Sequence, residues 1–263
     1  MRADKYFSEK YGSRTKAAEA IEKGLVLING KPIKPKTEIN ESDTITFVEA
    51  EETFVSNGGY KLDRALKTFS FDCDGLIFVD IGASTGGFTD CLLQNGAKKV
   101  YTVDVGKSLL HESLVGHSKI VQMENTNARY LKKSDFPDEI DGIVTDVSFI
   151  SLRLIFPVIK ELLKGDGHAF VLVKPQFECE KKYIGKSGIV TTSAHAEIVK
   201  KVLKYLAESG LYAHGIINAP IRKGKNIEYI LHVRSIEKGS KTHLQLIETV
   251  RTLVKQNSLG ELQ

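Results

Sequence analysis

The chain has 263 residues, of which 41% are hydrophobic and 27% are charged, and its formal net charge is +4. This composition is typical of a globular protein and excludes a disordered one. No apolar run approaches the ~20 residues that a membrane-spanning helix needs, and the first ten residues lack the apolar segment of a signal peptide. The three cysteines, Cys73, Cys91 and Cys179, form no metal-binding pair and are interpreted as reduced thiols. We therefore expect a cytoplasmic protein without stable membrane association.

Positive charge is concentrated near the N-terminus. From Arg2 to Lys36 there are nine Lys or Arg and four acids, whereas the segment from Glu38 to Glu52 holds six acids and no Lys or Arg. A basic module of this kind can bind the phosphate backbone of a nucleic acid. The alternative is a solvated surface without a partner.

Residues 1–50 are predicted to form a small α+β domain. Ser13 can cap a helix that runs through KAAEAIEKG, with Gly24 as its stop. The stretch LVLING then predicts a short strand with a tight turn at NGK, and ITFVEA (45–50) predicts a second strand.

The opening Arg2-x-Asp4 and the stretch SRTKAAEAIEKGLVLING resemble the S4 RNA-binding domain. The resemblance implies binding of structured RNA through the helix face and the loop that follows it. Little aromatic surface is visible, so shape and phosphate contacts are expected rather than stacking. A protein-interaction module with the same fold is the alternative. The candidate RNA-binding residues here are Arg2, Arg14, Lys16, Lys23, Lys31 and Lys34.

Strands and helices are predicted to alternate in the rest of the chain, after a linker at 51–59 that is acidic and ends in a glycine pair. The predicted strands are 76–81, 99–105, 119–123, 142–147 and 168–174, and the predicted helices lie near 87–95, 152–164 and 194–209. This order predicts an α/β fold with a doubly wound parallel sheet.

The last two predicted strands, 211–218 and 227–233, are joined by a short loop. A hairpin is expected there, so that one strand runs antiparallel. Such an ending is typical of a Rossmann-like methyltransferase sheet rather than of the plain dinucleotide-binding fold. The predicted methyltransferase domain spans 60–235, and a helical tail is expected over 236–263.

The first strand of the sheet leads into a loop of small residues, D-I-G-A-S-T-G-G-F (80–88). Small residues let the backbone approach a ligand closely, and the helix that follows supplies free N–H donors. Ser84 stands where the NAD fingerprint has its second glycine, and Asp80 precedes the turn. The pattern D-x-G-x-S-x-G resembles the loop that binds S-adenosylmethionine, a cofactor with an ammonium and a sulfonium that suit carboxylates. The candidate cofactor-binding residues of this loop are Asp80, Gly82, Ser84, Gly86, Gly87 and Phe88.

Two further residues are candidates for the remainder of the cofactor. Asp104 ends the second strand, where an acid usually accepts hydrogen bonds from ribose hydroxyls, and a helix cap is the alternative. Asn127 follows the third strand and is a candidate for the adenine edge, although a role in a turn fits equally well.

Charged residues mark the carboxyl ends of the next two strands, which is where a parallel sheet binds ligands. Asp146 ends the fourth strand and is also a candidate for the cofactor, and Lys174 ends the fifth. Lys61 opens the helix before the first strand, and Glu228 starts the last strand, so both can join this crevice. A surface lysine that snorkels, a helix cap and an exposed carboxylate are the respective alternatives for these residues.

The four residues and their flanks, GGYKL, TDVSF, VLVKPQFE and NIEYIL, resemble the Lys-Asp-Lys-Glu tetrad of the FtsJ-type ribose 2′-O-methyltransferases. Together with the S4-like module, they resemble the TlyA family, often labelled hemolysin A, over about residues 2–235. One departure is Asn57, where an arginine is expected before the glycine pair. The resemblance implies transfer of a methyl group from S-adenosylmethionine to a ribose 2′-hydroxyl of ribosomal RNA or ribosomal subunits.

This chemistry suggests a role for each member of the tetrad. Lys174 is expected beside the hydroxyl, either as a neutral base or as a cation that stabilises the oxyanion. Asp146 and Glu228 would orient that amine, and Lys61 would steer the hydroxyl or neutralise a phosphate. The sulfonium makes its methyl electrophilic without a metal, so no metal site is expected.

Ser148 and Phe149 would wall the methyl site, unless Phe149 packs in the core. Two residues before the last strand are further candidates for RNA contact, with a solvated loop as the alternative: Arg222 and Lys223.

Two other functions remain open at this point. A non-catalytic RNA-binding or ribosome assembly factor could keep the same fold, although the intact tetrad argues against it. A membrane-acting hemolysin would need a spanning or strongly amphipathic segment, and the sequence has neither.

Overall fold

The computed structural model describes residues 1–22, 24–48, 53–221 and 224–258. The chain divides into two compact units, residues 1–53 and 54–263. The division falls within the segment 51–59 that the sequence marks as a linker.

The N-terminal unit combines two helices with a three-stranded antiparallel sheet of order β2-β1-β3. Ser13 Oγ accepts a hydrogen bond of 3.2 Å from the backbone N–H of Lys16, which confirms the predicted cap, and Gly24 ends the helix region with φ at +75°. The predicted strand at 45–50 is shorter, and Glu49 and Ala50 lie outside the described residues. The elements are α1 (Ala3–Tyr6), α2 (Arg14–Glu22), β1 (Val26–Ile28), β2 (Lys31–Pro32) and β3 (Ile45–Phe47).

The second unit alternates strands and helices as the sequence predicts. Its elements are α3 (Asn57–Thr68), β4 (Ile77–Ile81), α4 (Gly87–Gln94), β5 (Lys99–Val103), β6 (Ile120–Met123), β7 (Ile140–Thr145), α5 (Phe156–Leu162), β8 (Leu163–Val173), α6 (Pro175–Glu178), α7 (His195–Glu208), β9 (Tyr212–Asn218), β10 (Tyr229–Arg234) and α8 (His243–Ser258).

A seven-stranded sheet of order β6-β5-β4-β7-β8-β10-β9 forms the centre of this unit. The first five strands of that order are parallel, and β10 runs antiparallel to both β8 and β9. The antiparallel strand confirms the predicted hairpin. Helix α8 packs against α7 and against β9, the strand at one edge of the sheet.

The sheet is buried on both faces because its central strands are apolar at successive positions. All five residues of β4 are buried, as are the last five of β8. Since successive side chains point to opposite faces, they divide between two cores. Val79 and Val171 lie in one core, and Phe78 and Phe170 lie in the other. This burial is typical of a parallel sheet with helices on both sides.

Two segments differ from their sequence-based bounds. The helix predicted over 152–164 is a 3₁₀ turn at Leu152–Leu154 followed by α5, and β8 begins at Leu163 rather than at 168. The glycine pair placed in the linker belongs to the first turn of α3. A Cβ on Gly59 would lie 2.3 Å from Phe54, so this glycine is explained by close packing.

Candidate active site

The loop between β4 and α4 passes through three left-handed backbone conformations. The φ angles of Gly82, Ser84 and Gly86 are +82°, +49° and +87°. A Cβ on Gly82 would approach the carbonyl oxygen of Asp146 to 3.1 Å, and one on Gly86 would lie 2.5 Å from Leu114. The glycines therefore allow the turn and bring the loop close to the end of β7.

Asp80 supplies a buried carboxylate at the base of this loop. Its Oδ2 accepts a hydrogen bond of 2.6 Å from Thr89 Oγ1, whereas among the described residues its Oδ1 has no hydrogen-bond partner. Burial raises the pKa of Asp80 to about 7, although the Thr89 hydroxyl opposes the shift. Asp80 lines a cavity of about 180 Å³ together with Gly82, Ser84, Gly87, Phe88, Asp146 and Lys174. A ligand cation would give the free oxygen its partner.

Asp104, which directly follows β5, is fixed by two backbone donors. Its Oδ2 accepts from the N–H of Ser84 at 2.9 Å and its Oδ1 from the N–H of Gly106 at 2.8 Å. Each carboxylate oxygen retains a lone pair for a ligand hydroxyl. Asp104 and Asn127 both line a second cavity of about 660 Å³. The Asn127 side chain also accepts from the N–H of Arg129, so the turn role left open for it is present.

The four charged residues of the tetrad form one connected row. Lys61 Nζ lies 2.7 Å from Glu228 Oε2 and 3.3 Å from Asp146 Oδ2, and Lys174 Nζ lies 2.6 Å from Asp146 Oδ1. Lys174 Nζ also donates to Ser148 Oγ at 2.7 Å. Glu228 thus pairs with Lys61, although the sequence suggested that it orients Lys174. Their side chains are between 12% and 20% exposed, so one edge of the row stays open to a substrate.

The two lysines have different surroundings. Burial disfavours the charge of Lys61, but Asp146 and Glu228 together raise its pKa above the usual value. The two carboxylates therefore favour the ammonium form of Lys61. Lys174 contacts one carboxylate, that of Asp146, and the neutral hydroxyl of Ser148.

The loop after β7 presents an aromatic ring to solvent. Phe149 is 91% exposed and has a φ of +61°, so the alternative that it packs in the core is excluded. Its ring lies 4.8 Å from that of Phe177, whose ring centre is 5.8 Å from Lys174 Nζ. The contact with Phe177 leaves most of the Phe149 side chain open to solvent.

The basic residues of the N-terminal unit flank a groove of about 480 Å³ that Arg2 and Lys34 line. Arg2 and Arg14 both donate to the carboxylate of Asp4, at 2.7 Å and 3.0 Å. Burial opposes ionisation of Asp4, but these bonds hold its pKa below the usual value. Both guanidinium groups are thereby oriented. The remaining candidates are exposed or undescribed: Lys16, Lys31 and Lys34 are exposed, whereas Lys23, Arg222 and Lys223 lie outside the described residues.

The described part of the chain has neither a membrane-spanning helix nor a cluster of metal ligands. No helix in it is long and apolar enough to cross a membrane. No group of three or more His, Cys, Asp or Glu side chains in it could hold a metal ion.

Comparison with known protein families identifies the family of this chain. The FtsJ-like methyltransferase model matches residues 54–235. The chain belongs to the FtsJ-like methyltransferase family. The S4 domain model matches residues 1–45, which confirms the N-terminal S4 domain.

Individual relatives agree with this family. Hemolysin A of Brachyspira hyodysenteriae is 40% identical over 238 residues, which cover 88% of this chain and 99% of that protein. The 16S/23S rRNA (cytidine-2′-O)-methyltransferase TlyA of Mycobacterium tuberculosis is 38% identical over 227 residues, which cover 85% of each chain. A solved structure from Streptococcus thermophilus, whose name contains the word hemolysin, matches at 34% identity with a TM-score of 0.74 and covers 98% of both chains. The resemblance to the TlyA family is confirmed.

The family and its fold make S-adenosylmethionine the cofactor. An S-adenosylmethionine-dependent methyltransferase from Mesorhizobium loti shares the fold with a TM-score of 0.52 at 14% identity. The donor set fits that cofactor, because the unpartnered oxygen of Asp80 suits an ammonium and Asp104 keeps lone pairs for the ribose hydroxyls. The FtsJ-like protein is therefore an S-adenosylmethionine-dependent methyltransferase.

Proposed function

We propose that this methyltransferase acts in the cytoplasm on a ribose 2′-hydroxyl of ribosomal RNA, within ribosomal subunits. The observation that carries the proposal is the connected row of Glu228, Lys61, Asp146 and Lys174, which ends in the wall of the cofactor cavity. Support for RNA as the substrate comes from the S4 domain and from the Mycobacterium tuberculosis relative, which is named as a 16S/23S rRNA (cytidine-2′-O)-methyltransferase.

Lys174 is the residue proposed to contact the reacting hydroxyl. An amine nitrogen has three directions beyond its carbon, and the contacts with Asp146 and Ser148 use two of them. The third is available to the ribose oxygen. A neutral Lys174 would accept the hydroxyl proton there, whereas a protonated one would stabilise the oxyanion by donating a hydrogen bond.

Lys61 is proposed as a fixed cation. Its two carboxylate partners keep it protonated, so it cannot act as the base. It offsets the negative charge that Asp146 would otherwise place beside the developing oxyanion. Asp80 and Asp104 would hold S-adenosylmethionine, whose sulfonium would supply an electrophilic methyl group for the hydroxyl oxygen.

RNA binding is assigned to the S4 domain in the same proposal. Arg2 and Arg14 are held by Asp4 and retain N–H groups for phosphate oxygens. Lys34 lines the same groove, and the exposed Lys16 and Lys31 would add positive charge to this unit. Salt would weaken binding because phosphate contacts release counterions. Lys23, Arg222 and Lys223 are proposed as further contacts from their sequence positions alone.

The test is the chemical identity of the product. Ribosomal subunits from a strain that lacks the gene would be incubated with the enzyme and methyl-labelled cofactor, and the RNA would then be digested to nucleosides. The proposal predicts label in a nucleoside methylated on its ribose 2′-oxygen. Label on a base would contradict the reaction, and cofactor and RNA binding without any transfer would favour the non-catalytic assembly factor.

A second comparison in this assay asks which form of Lys174 acts. Arginine keeps a positive charge but does not lose its proton in proteins. Lys174→Arg should therefore stay inactive if the neutral amine is the base and regain part of the activity if the cation suffices. Lys200→Ala is a matched control, because Lys200 is exposed on α7 and pairs only weakly with Glu197 at 3.8 Å.

A further inference from the structure

Glu178 is a buried carboxylate that the proposed reaction does not use. It is the last residue of α6, four positions after Lys174, and it is 3% exposed. Removing a carboxylate from water is costly unless its oxygens are hydrogen-bonded. The position of Glu178 therefore implies specific partners beside the active site.

Those partners lie at the far end of the loop that follows β7. We define the β7 loop as residues 146–151. Glu178 Oε2 accepts from Ser151 Oγ and Oε1 accepts from the backbone N–H of Leu152, each at 2.7 Å. The carbonyl oxygen of Glu178 itself accepts from Lys201 Nζ of α7 at 2.8 Å, which anchors the end of α6 to a long helix.

The near end of the β7 loop is held by Lys174. Asp146 and Ser148 are its first and third residues, and both contact Lys174 Nζ. The short segment 174–178 therefore contacts the β7 loop at two points, through Lys174 at one end and through Glu178 at the other. Phe149 lies between these two points of contact. Its left-handed backbone is strained for a bulky side chain and persists only where the surrounding structure fixes it.

We propose that Glu178 is a positioning residue that locks the β7 loop and so holds Asp146 and Ser148 in the geometry that presents Lys174 to the hydroxyl. The inference rests on the proposed function, because Glu178 acts through Lys174. A carboxylate that merely capped the 3₁₀ turn after Ser151 would stabilise the fold without affecting the rate of a folded enzyme.

The experiment compares Glu178→Ala and Glu178→Gln with the wild-type enzyme. The rate of a single turnover, the dissociation constant of S-adenosylmethionine and the hydrogen exchange of residues 146–152 would be measured for each. Displacing a catalytic group by an ångström can cost about 100-fold, so we expect Glu178→Ala to lose about 30- to 100-fold in rate. Its cofactor affinity should fall by less than the rate does, because the displaced Asp146 is one of several cofactor candidates and Asp80 and Asp104 are untouched.

The Glu178→Gln variant tests whether a side chain that can form the same two hydrogen bonds restores the rate. Its amide oxygen can accept from the N–H of Leu152 and its NH₂ can donate to Ser151 Oγ, so its rate should stay within about fivefold of wild type. Glu180→Ala is the control, because Glu180 is 68% exposed and, among the described residues, forms its ion pair with the exposed Lys182.

Three results would overturn the proposal: a folded Glu178→Ala with the wild-type rate, unchanged exchange in the β7 loop, or a glutamine variant as slow as the alanine one. If the alanine variant does not fold, Ser151→Ala removes one of the two bonds and should slow turnover about three- to tenfold. A wild-type rate for that variant would refute the lock. Hydrogen exchange needs no RNA, so it tests the lock even if the wild-type enzyme fails to methylate ribosomal subunits.

Discussion

Cofactor affinity should depend on the ionisation of Asp80. The pKa of this carboxyl lies at about 7 because of its burial, and its Oδ1 lacks a partner among the described residues. A ligand ammonium binds the ionised form. With half of the groups ionised at pH 7 and about one tenth at pH 6, the apparent dissociation constant of S-adenosylmethionine should be about fivefold larger at pH 6.

Asp80→Asn gives the matching comparison. It should weaken binding about tenfold or more, since a hydrogen bond to a charged group contributes roughly 1.5–3 kcal/mol, and it should remove the dependence on pH. The pKa in the folded protein exceeds the ordinary 3.8. The carboxylate therefore destabilises the free enzyme increasingly as pH rises from about 4 to about 7. Calorimetric titration between pH 5.5 and 7 measures the affinity, and thermal unfolding of the variant should show higher stability at pH 8. Equal affinities at both pH values, with an unweakened Asp80→Asn, would refute the reasoning.

Two further predictions concern stability. His168 and His232 share a hydrogen bond of 2.8 Å, and burial lowers their pKa to about 4 and about 3, so stability should be full above about pH 6.5 and fall as the pH drops towards those values. His232→Phe should reduce the acid-induced loss in the free energy of unfolding by about 1–2 kcal/mol, as followed by circular dichroism. The same acid-induced loss in the variant and in wild type would contradict this. Gly59→Ala should lower the free energy of unfolding by about 1–3 kcal/mol, because the new Cβ would lie 2.3 Å from Phe54. Gly58→Ala, whose Cβ would meet its nearest neighbour at 3.3 Å, is the control, and equal losses in urea titrations would show that the contact is not the cause.

The sequence predicted the sheet well because its signals are local. The buried run 170–173 and the alternation of strands with helices follow from burial and chain length, and the short connection after β9 predicts the antiparallel partner. The carboxyl ends of β7 and β8 must lie at one edge, so the meeting of Asp146 and Lys174 could also be anticipated.

Other features depend on contacts between distant segments, which no local pattern encodes. The choice of Lys61 as the partner of Glu228 depends on how α3 packs beside β10. Core packing was left open for the apolar Phe149, yet its side chain is 91% exposed and contacts the ring of Phe177. The sequence places the glycine pair at 58–59 in a linker, but its second member is needed because Phe54 packs against it.

The central claim is that Lys174, held by Asp146 and Ser148, acts on the hydroxyl and not on cofactor binding. Its most direct test measures single-turnover methyl transfer to ribosomal RNA and the affinity for S-adenosylmethionine with the same preparation of Lys174→Ala. The account predicts a rate at least about 1000-fold below wild type with a dissociation constant within about threefold of it. A variant that transfers methyl groups at a rate near wild type, or one that loses rate only because it no longer binds the cofactor, would contradict the account.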